Sequence, residues 1–393
     1  MTKDNEIKAF KIKIPEKALT DLKSRIKNTR WPNKELVDDR SQGVQLETMK
    51  KLAKYWANSY DWRTFEKRMN ALPQFMTNID GVDIHFIHVK SSNKDALPAI
   101  ITHGWPGSIV ELLDVVGPLT EPEKHGGHIE DAFHVVIPSL PGYGFSGQPT
   151  DLGWGPARIA KAWAELMSRL GYDHYVAQGG DVGASVTDTM ARQAPKGLIG
   201  IHTNLLVTAL AGIKFPEETK EERAARESIN TFNTFGKGYF IEQDTRPQTI
   251  GYALSDSPIA LAAWMLDHDT DSYYKITQAF VGKKPSGNLT RDNILDNITL
   301  YWLTDTGTSA AREYWESGQA AIQAAGQKPA DVKIPVGFTT FPGEIWQTPR
   351  SWAETSYRTL TYFNKAKRGG HFAAWEEPML FTEEVRAAFK TLR

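Results

Sequence analysis

The fold of this chain is decided by VAQGGDVGASVTDTMARQAP, residues Val176–Pro195. The stretch begins as a short apolar strand and continues as a helix, and Asp181 stands at the turn with Gly179 and Gly183 on either side. Small flanking residues let the backbone reverse sharply there, as in an elbow that presents a nucleophile at a helix N-terminus. The partial positive charge of that terminus favours a carboxylate. A simpler interpretation fits equally well, because aspartate is also a common helix N-cap.

The composition predicts a globular protein with an ordinary core. The chain has 393 residues, of which 40% are hydrophobic and 24% are charged, and its formal net charge is -1. This balance gives no indication of a nucleic-acid or anionic-membrane partner. The lack of cysteine excludes disulfides, thiol catalysis and cysteine-ligated metals. The N-terminus lacks the apolar core of a signal peptide and no apolar run is long enough to cross a bilayer, so we expect a soluble, cytoplasmic protein.

Strand and helix patterns alternate around the elbow. Residues 1–95 are helix-rich and end in an alternating strand, and residues 96–210 alternate short apolar strands with helices. The pattern is helical again over 211–330, and the alternation resumes over 331–393. Such alternation predicts a mostly parallel sheet covered on both faces. We therefore expect an α/β fold with an N-terminal helical segment and a helical insertion, or cap, between two parts of the core.

Three further motifs supply groups that a nucleophile at the elbow needs. THGWPGS (Thr102–Ser108) follows a strand, so backbone N–H groups of this turn and of Val182 are candidates for an oxyanion hole. His371 in RGGHFAAWEEP is a candidate general base, and Glu344 in TTFPGEIW is placed to orient it. Each motif alone is also typical of a plain turn, a filler histidine or a solvated glutamate. The order Asp181, Glu344, His371 is the one that the α/β-hydrolase arrangement imposes.

An aspartate nucleophile favours attack on a carbon that is not a carbonyl. Its carboxylate is already ionised at neutral pH. Attack on an ester would give a high-energy anhydride, whereas attack on an sp³ carbon of an epoxide or alkyl halide gives a stable ester that activated water then hydrolyses. An epoxide oxygen must receive a proton or hydrogen bond as it leaves, which suits tyrosine. The spacing of the tyrosines in the helical insertion does not choose among Tyr239, Tyr314, Tyr252, Tyr273, Tyr274 and Tyr301.

No cofactor or metal is expected. The run GYGFSG (Gly142–Gly147) matches a dinucleotide-binding pattern, but the next helix begins only near Pro156 and no acidic ribose partner follows at a suitable distance. His125 and His128 have no third ligand nearby in the sequence. We therefore expect chemistry that side chains and water carry alone.

Over nearly its whole length, the chain resembles the microsomal-type epoxide hydrolases, a branch of the α/β-hydrolases with an extended N-terminal segment. The resemblance is carried, in this order, by RWP, HGWPGS, PSLPGYGFSG, GGDVG, GYALSDSP, FPGEIWQTP and RGGHFAAWEEP. It implies that Asp181 is the nucleophile, His371 the base and Glu344 its acidic partner. It also selects Tyr239 and Tyr314 as the pair that activates the epoxide.

The resemblance implies further positions around the nucleophile. The backbones of Trp105 and Val182 would form the oxyanion hole, and His103, Trp105 and Val182 would border the substrate pocket. Many members of the family have Trp after the nucleophile where this chain has Val182, so we expect a wider pocket. The membrane anchor of the vertebrate members is missing, which favours a soluble relative.

The expected function is hydrolysis of an epoxide to a vicinal diol through an alkyl ester at Asp181. The expected partners are a small apolar epoxide and water, and a homodimer is considered. Two alternatives remain open: a haloalkane dehalogenase, which shares nucleophile and base, and a catalytically silent protein that binds an apolar ligand.

Overall fold

A nine-stranded sheet forms the centre of the structure, a computed structural model that describes residues 5–210, 214–282, 284–324, 327 and 329–393. Its strands are β1 (Lys8–Ala9), β2 (Gln74–Ile79), β3 (Val82–Val89), β4 (Leu97–Thr102), β5 (Phe133–Pro138), β6 (Tyr175–Gly179), β7 (Leu198–Thr203), β8 (Val336–Thr340) and β9 (Leu360–Lys365). They lie in the order β1-β2-β3-β5-β4-β6-β7-β8-β9. Strands β4 to β9 are parallel and β1 to β3 are antiparallel. The predicted mostly parallel sheet is confirmed.

Helices cover the sheet and extend beyond it. Within the described residues they are α1 (Glu16–Lys27), α2 (Leu46–Asn58), α3 (Trp62–Asn70), α4 (Leu113–Thr120), α5 (Pro156–Arg169), α6 (Val182–Gln193), α7 (Lys220–Thr231), α8 (Gly238–Thr245), α9 (Pro247–Asp256), α10 (Pro258–Leu266), α11 (Thr270–Thr277), α12 (Arg291–Thr304), α13 (Gly307–Gln323), α14 (Arg350–Ser356), α15 (Ala373–Glu376) and α16 (Pro378–Ala388). Every residue of β5 is buried, as expected where helices cover both faces of a sheet.

The N-terminal segment contributes more strand than the sequence predicted. Its last strand, β3, was expected, but β1 and β2 also pair into the edge of the sheet. The β2 sequence QFMTNI mixes buried and half-buried positions without regular alternation, so it lacks the pattern that marks a strand in sequence. The first 95 residues are therefore continuous with the central sheet.

The helices of the same segment also bond to the insertion. The indole Nε1 of Trp56 donates to Thr299 at 2.9 Å, and the Tyr60 hydroxyl donates to Asp296 at 2.7 Å. These contacts connect α2 and the loop that follows it to α12.

Seven helices, α7 to α13, occupy the described part of the chain between β7 and β8. This agrees with a helical insertion, although its predicted first residue, 211, lies outside the described residues, and the four predicted domain boundaries stay a prediction. Among the described residues, no helix combines the length and apolar character needed to cross a bilayer.

Candidate active site

Asp181 occupies the turn between β6 and α6 in a strained backbone conformation, with φ 52° and ψ -126°. A positive φ is costly for a residue with a side chain and persists only where the surroundings enforce it. A Cβ at Gly179 would lie 2.1 Å from the Gly183 carbonyl oxygen, and one at Gly183 would lie 2.1 Å from that of Thr102. The Asp181 side chain makes no helix-capping hydrogen bond, so the interpretation as a plain N-cap is wrong. The predicted elbow is confirmed.

A backbone N–H group holds the Asp181 carboxylate. That of Trp105, in the turn after β4, donates to Oδ1 at 2.9 Å. Val182, the other predicted oxyanion residue, directly follows Asp181 as the first residue of α6. After the hydrogen bond and charge of His371, the Val182 backbone N–H is a further cause that lowers the pKa of the Asp181 carboxyl. The second carboxylate oxygen, Oδ2, lies 3.4 Å from Nε2 of His371.

His371 reaches Asp181 from the loop that follows β9, and Glu344 reaches His371 from the loop that follows β8. Nε2 of His371 lies 3.4 Å from Oδ2 of Asp181, and Nδ1 lies 2.7 Å from Oε1 of Glu344. Oε1 also accepts the Ile345 backbone N–H at 2.9 Å, which fixes the glutamate. The structure therefore brings together the three residues that were predicted as nucleophile, base and acidic partner.

The charges in this group are mutually stabilising. Burial raises the pKa of the Asp181 carboxyl, but the hydrogen bond and the charge of His371 outweigh it and the net pKa is lowered. Burial likewise lowers the pKa of His371, yet Glu344 and Asp181 together raise it well above its usual value. In the free protein, Asp181 is thus an ionised carboxylate, and His371 holds a proton that depends on the negative charge beside it.

Tyr239 and Tyr314 face the same space from the insertion. Tyr239 lies on α8 with its ring stacked on that of Trp105 at 4.9 Å, and Tyr314 lies on α13 with its ring edge-on to Trp105 at 5.8 Å. Burial and the Asp181 charge raise the pKa of both phenols well above the usual value. Both tyrosines are therefore protonated and able to donate.

The four rival tyrosines are placed elsewhere. Tyr252 and Tyr274 are 73% and 42% exposed. The Tyr301 hydroxyl donates to the Gly107 carbonyl at 2.6 Å, and the Tyr273 hydroxyl accepts the Gln45 backbone N–H at 3.1 Å. The geometry thus favours Tyr239 and Tyr314 over these four tyrosines, and their role in ring opening stays a prediction.

His103 has a supporting position next to the site. Its Nδ1 contacts the Gly104 carbonyl at 3.1 Å, and its Nε2 accepts the Leu140 backbone N–H at 3.2 Å. Burial lowers the pKa of this imidazole to about 4, so it is neutral. Because backbone groups engage both nitrogens, the ring connects two loops; its role as a substrate-pocket residue stays a prediction.

Sequence reasoning missed His268, which lies between α10 and α11 and is only 2% exposed. Its ring lies 4.3 Å from that of His371, 5.0 Å from Tyr239 and 5.9 Å from Trp105, measured between centroids. The available signal was weak: a histidine between two aspartates at a helix boundary, in LDHDTDS.

Asp181, His268 and His371 form the one group of potential metal ligands found among the described residues. A ring nitrogen of His268, a ring nitrogen of His371 and a carboxylate oxygen of Asp181 all lie within 4.8 Å of one another. The expectation that no metal takes part stays a prediction.

A second missed residue is Glu111, which lines a small cavity of about 20 Å³ beside Asp181, together with Gln178 and Asn204. Burial raises the pKa of its carboxyl to about 8, so the group is protonated at neutral pH. Its Oε2 has no hydrogen-bond partner among the described residues.

A mostly parallel sheet whose elbow carries an aspartate defines the class of this protein: it is an α/β-hydrolase with a carboxylate where most such elbows have serine. Residues 7–112 match the family model described as the epoxide hydrolase N terminus. A relative from Stigmatella aurantiaca, itself assigned to the epoxide hydrolases, is 50% identical over 98% of this chain and 86% of its own length. Epoxide hydrolase 1 of Sus scrofa is 34% identical, over 98% of this chain and 88% of that protein.

Solved structures agree with these relatives. The crystal structure of juvenile hormone epoxide hydrolase from Bombyx mori superposes with a TM-score of 0.87 at 31% identity, over 99% of this chain and 95% of that one. The chain belongs to the epoxide hydrolase family and is an epoxide hydrolase, a hydrolase that opens the cyclic ether of an epoxide. The predicted α/β-hydrolase fold and family are confirmed, and the dehalogenase and silent-binder alternatives are not supported.

Proposed function

We propose that the enzyme opens its epoxide by attack of Asp181 Oδ2 on a ring carbon, which leaves an alkyl ester on the protein. The observation that carries this proposal is the placement of Asp181, with Oδ1 held by the Trp105 N–H at 2.9 Å and Oδ2 3.4 Å from Nε2 of His371. An ionised carboxylate attacks without a base. In the strained elbow, the Asp181 side chain makes no capping hydrogen bond to α6, so its carboxylate stays available to a substrate.

Tyr239 and Tyr314 are proposed to complete ring opening. As the carbon–oxygen bond breaks, one phenol transfers its proton to the epoxide oxygen and the other donates a hydrogen bond to it. Their raised pKa values keep both phenols protonated before the reaction. The product of this step is a hydroxyalkyl ester of Asp181 and one tyrosinate, so no proton is lost.

His371 is proposed to activate water in the second step. Alkylation removes the negative charge of Asp181, and with it a cause that raises the pKa of His371. The imidazolium therefore gives up its proton more readily, which can return the tyrosinate to tyrosine. Neutral His371 then takes a proton from water as the water oxygen attacks Cγ of Asp181, and the Trp105 and Val182 N–H groups stabilise the oxyanion. Collapse breaks the bond between Cγ and the alkyl oxygen, which takes the proton of the newly added hydroxyl and leaves as the diol. The carboxylate is restored, and His371 is again the imidazolium of the free enzyme.

The proposed substrate is a small apolar epoxide, because aromatic rings border the space above Asp181. Three of them, Trp105, Tyr239 and Tyr314, contact one another there. A cytoplasmic location and a homodimer stay predictions.

A single turnover in oxygen-18 water tests the covalent route. With enzyme in excess, the label should enter the carboxylate of Asp181, and the first diol should carry none, because water attacks Cγ and not the substrate carbon. In later turnovers the label should appear in the diol, which serves as an internal control. Label in the first diol would contradict the proposal.

A further inference from the structure

The pairing of His268 with Asp269 determines which ring nitrogen of His268 faces the site. Nδ1 lies 2.8 Å from Oδ2 of Asp269, whose Oδ1 accepts the Ser272 backbone N–H at 2.8 Å. Each oxygen of the Asp269 carboxylate therefore has one nitrogen at hydrogen-bond distance, and a carboxylate only accepts, so Nδ1 of His268 carries the hydrogen. With the hydrogen on Nδ1, Nε2 is the ring nitrogen whose lone pair can accept a hydrogen bond.

Nothing in the described part of the protein uses that acceptor. Nε2 of His268 is buried and has no hydrogen-bond partner there. Buried polar atoms in proteins are normally paired, so an orphan nitrogen beside a reacting group points to a water or substrate partner.

The spacing of the three reacting groups fits one water molecule. A ring nitrogen of each histidine and an oxygen of Asp181 lie within 4.8 Å of one another. Two atoms that each lie at a normal hydrogen-bond distance of about 2.9 Å from one water oxygen can be separated by that much. The water that hydrolyses the ester must in any case lie beside His371 and Cγ of Asp181.

We propose that Nε2 of His268 is the second acceptor for the hydrolytic water, which is held between His268 and His371 before it attacks Asp181. This inference rests on the proposed covalent route. One O–H bond breaks as the O–Cγ bond forms, and its proton goes to Nε2 of His371. The other O–H stays intact and donates to Nε2 of His268, so a lone pair of the water is directed at Cγ.

Single-turnover kinetics separate this role from a structural one. A styrene-type oxide is mixed with excess enzyme and quenched in acid, and the mass of the intact protein gives the ester fraction with time. In His268→Phe, which keeps an aromatic ring against His371, ester hydrolysis should slow by about ten- to a hundredfold. Alkylation should stay within about twofold of wild type, since the water takes no part in it.

A second variant tests the tautomer without removing the ring. In Asp269→Asn, the side-chain oxygen still caps α11 at Ser272, but the amide now donates to Nδ1 of His268 and moves the hydrogen to Nε2. Hydrolysis should again slow selectively, because an acceptor has become a donor. This variant also keeps the inference testable if His268→Phe does not fold.

Two substitutions serve as matched controls. His202 is buried. One of its ring nitrogens lies 2.9 Å from the Thr339 hydroxyl, and the other has no partner among the described residues. His202→Phe therefore reproduces the loss of a buried imidazole away from the site. Asp61 caps α3 through the Arg63 N–H at 3.0 Å, so Asp61→Asn mimics the loss of a cap charge. Neither control should change the ratio of the rate constant for alkylation to the rate constant for ester hydrolysis.

Wild-type hydrolysis in folded His268→Phe or Asp269→Asn, or an equal slowing of both steps, would overturn the role of His268. Failure of the covalent route looks different, since wild-type protein would then form no ester at all.

Discussion

The ring of Tyr239 is stacked on the indole of Trp105, with centroids 4.9 Å apart and planes 23° from parallel. The backbone N–H of the same Trp105 donates to Asp181 at 2.9 Å. In the proposed mechanism, Trp105 thus positions both a donor for the oxyanion and a phenol for the leaving oxygen. Both proposed steps would then depend on the turn after β4.

Removal of both phenol hydroxyls should block ring opening and leave the packing intact. In Tyr239→Phe/Tyr314→Phe, the rings that contact Trp105 remain, but neither can protonate the alkoxide. We expect alkylation to fall by about 10²- to 10⁴-fold, with a smaller loss in each single variant, measured by the rate of ester formation. Tyr252→Phe, at a position that is 73% exposed, is the control. Wild-type alkylation in the double variant would show that other groups open the ring.

Replacement of His371 by Gln should trap the ester. Alkylation needs only the carboxylate and the phenols, whereas hydrolysis needs a base, for which a factor of about 10²–10⁴ is typical. Intact-mass measurement should show an adduct of substrate mass that persists for many wild-type turnover times. The adduct should be absent from Asp181→Asn. An adduct that decays at the wild-type rate would assign the base to another residue.

The two steps should differ in their dependence on pH. Asp181 has a lowered pKa, so alkylation should persist into acid. Ester hydrolysis needs neutral His371, and it should rise with pH through the pKa of that imidazole in the alkyl-enzyme and then level off. This pKa should lie below that of the free enzyme, because the raising effect of ionised Asp181 is gone.

Glu344→Gln tests the pH dependence of ester hydrolysis in a second way. It removes the largest cause that raises the pKa of His371, so the acid limb of hydrolysis should move to lower pH while the plateau falls. Rates of ester decay from single-turnover quench experiments give both features. A limb that moves to higher pH would contradict the assigned partnership.

Val182→Trp should change substrate preference and spare the chemistry. Val182 contributes a backbone N–H that any residue supplies, and its side chain is 8% exposed beside the nucleophile. A larger side chain there should lower kcat/KM for a bulky epoxide such as a stilbene oxide by at least about tenfold more than for a short alkyl epoxide. An equal loss for both substrates would indicate damage to the elbow and not a narrower pocket.

The sequence was sufficient to predict that three residues would lie together at the carboxyl edge of the sheet. Asp181, Glu344 and His371 each follow a strand of a parallel sheet, and the carboxyl ends of such strands meet at one edge. Local patterns therefore predicted a long-range arrangement.

Residues from the insertion were less accessible to such reasoning. Nothing in helical periodicity states which face of α8 or α13 lies over the sheet, so Tyr239 and Tyr314 came from the resemblance alone. His268 was missed for the same reason: its contacts with His371 and Trp105 depend on how the insertion packs on the core, which is a tertiary property. Strand β2 was missed because neighbouring strands, and not its own pattern, make it a strand.

The ion pair between Arg40 and Asp267, 2.7 Å long, has a consequence for engineering. Asp267 precedes His268, so an arginine from the N-terminal segment anchors the loop that carries an imidazole into the catalytic centre. Trimming this enzyme to its sheet and insertion would therefore remove an anchor of the loop that carries His268. Loop designs that aim to alter turnover should begin at Arg40, which lies outside both the sheet and the insertion.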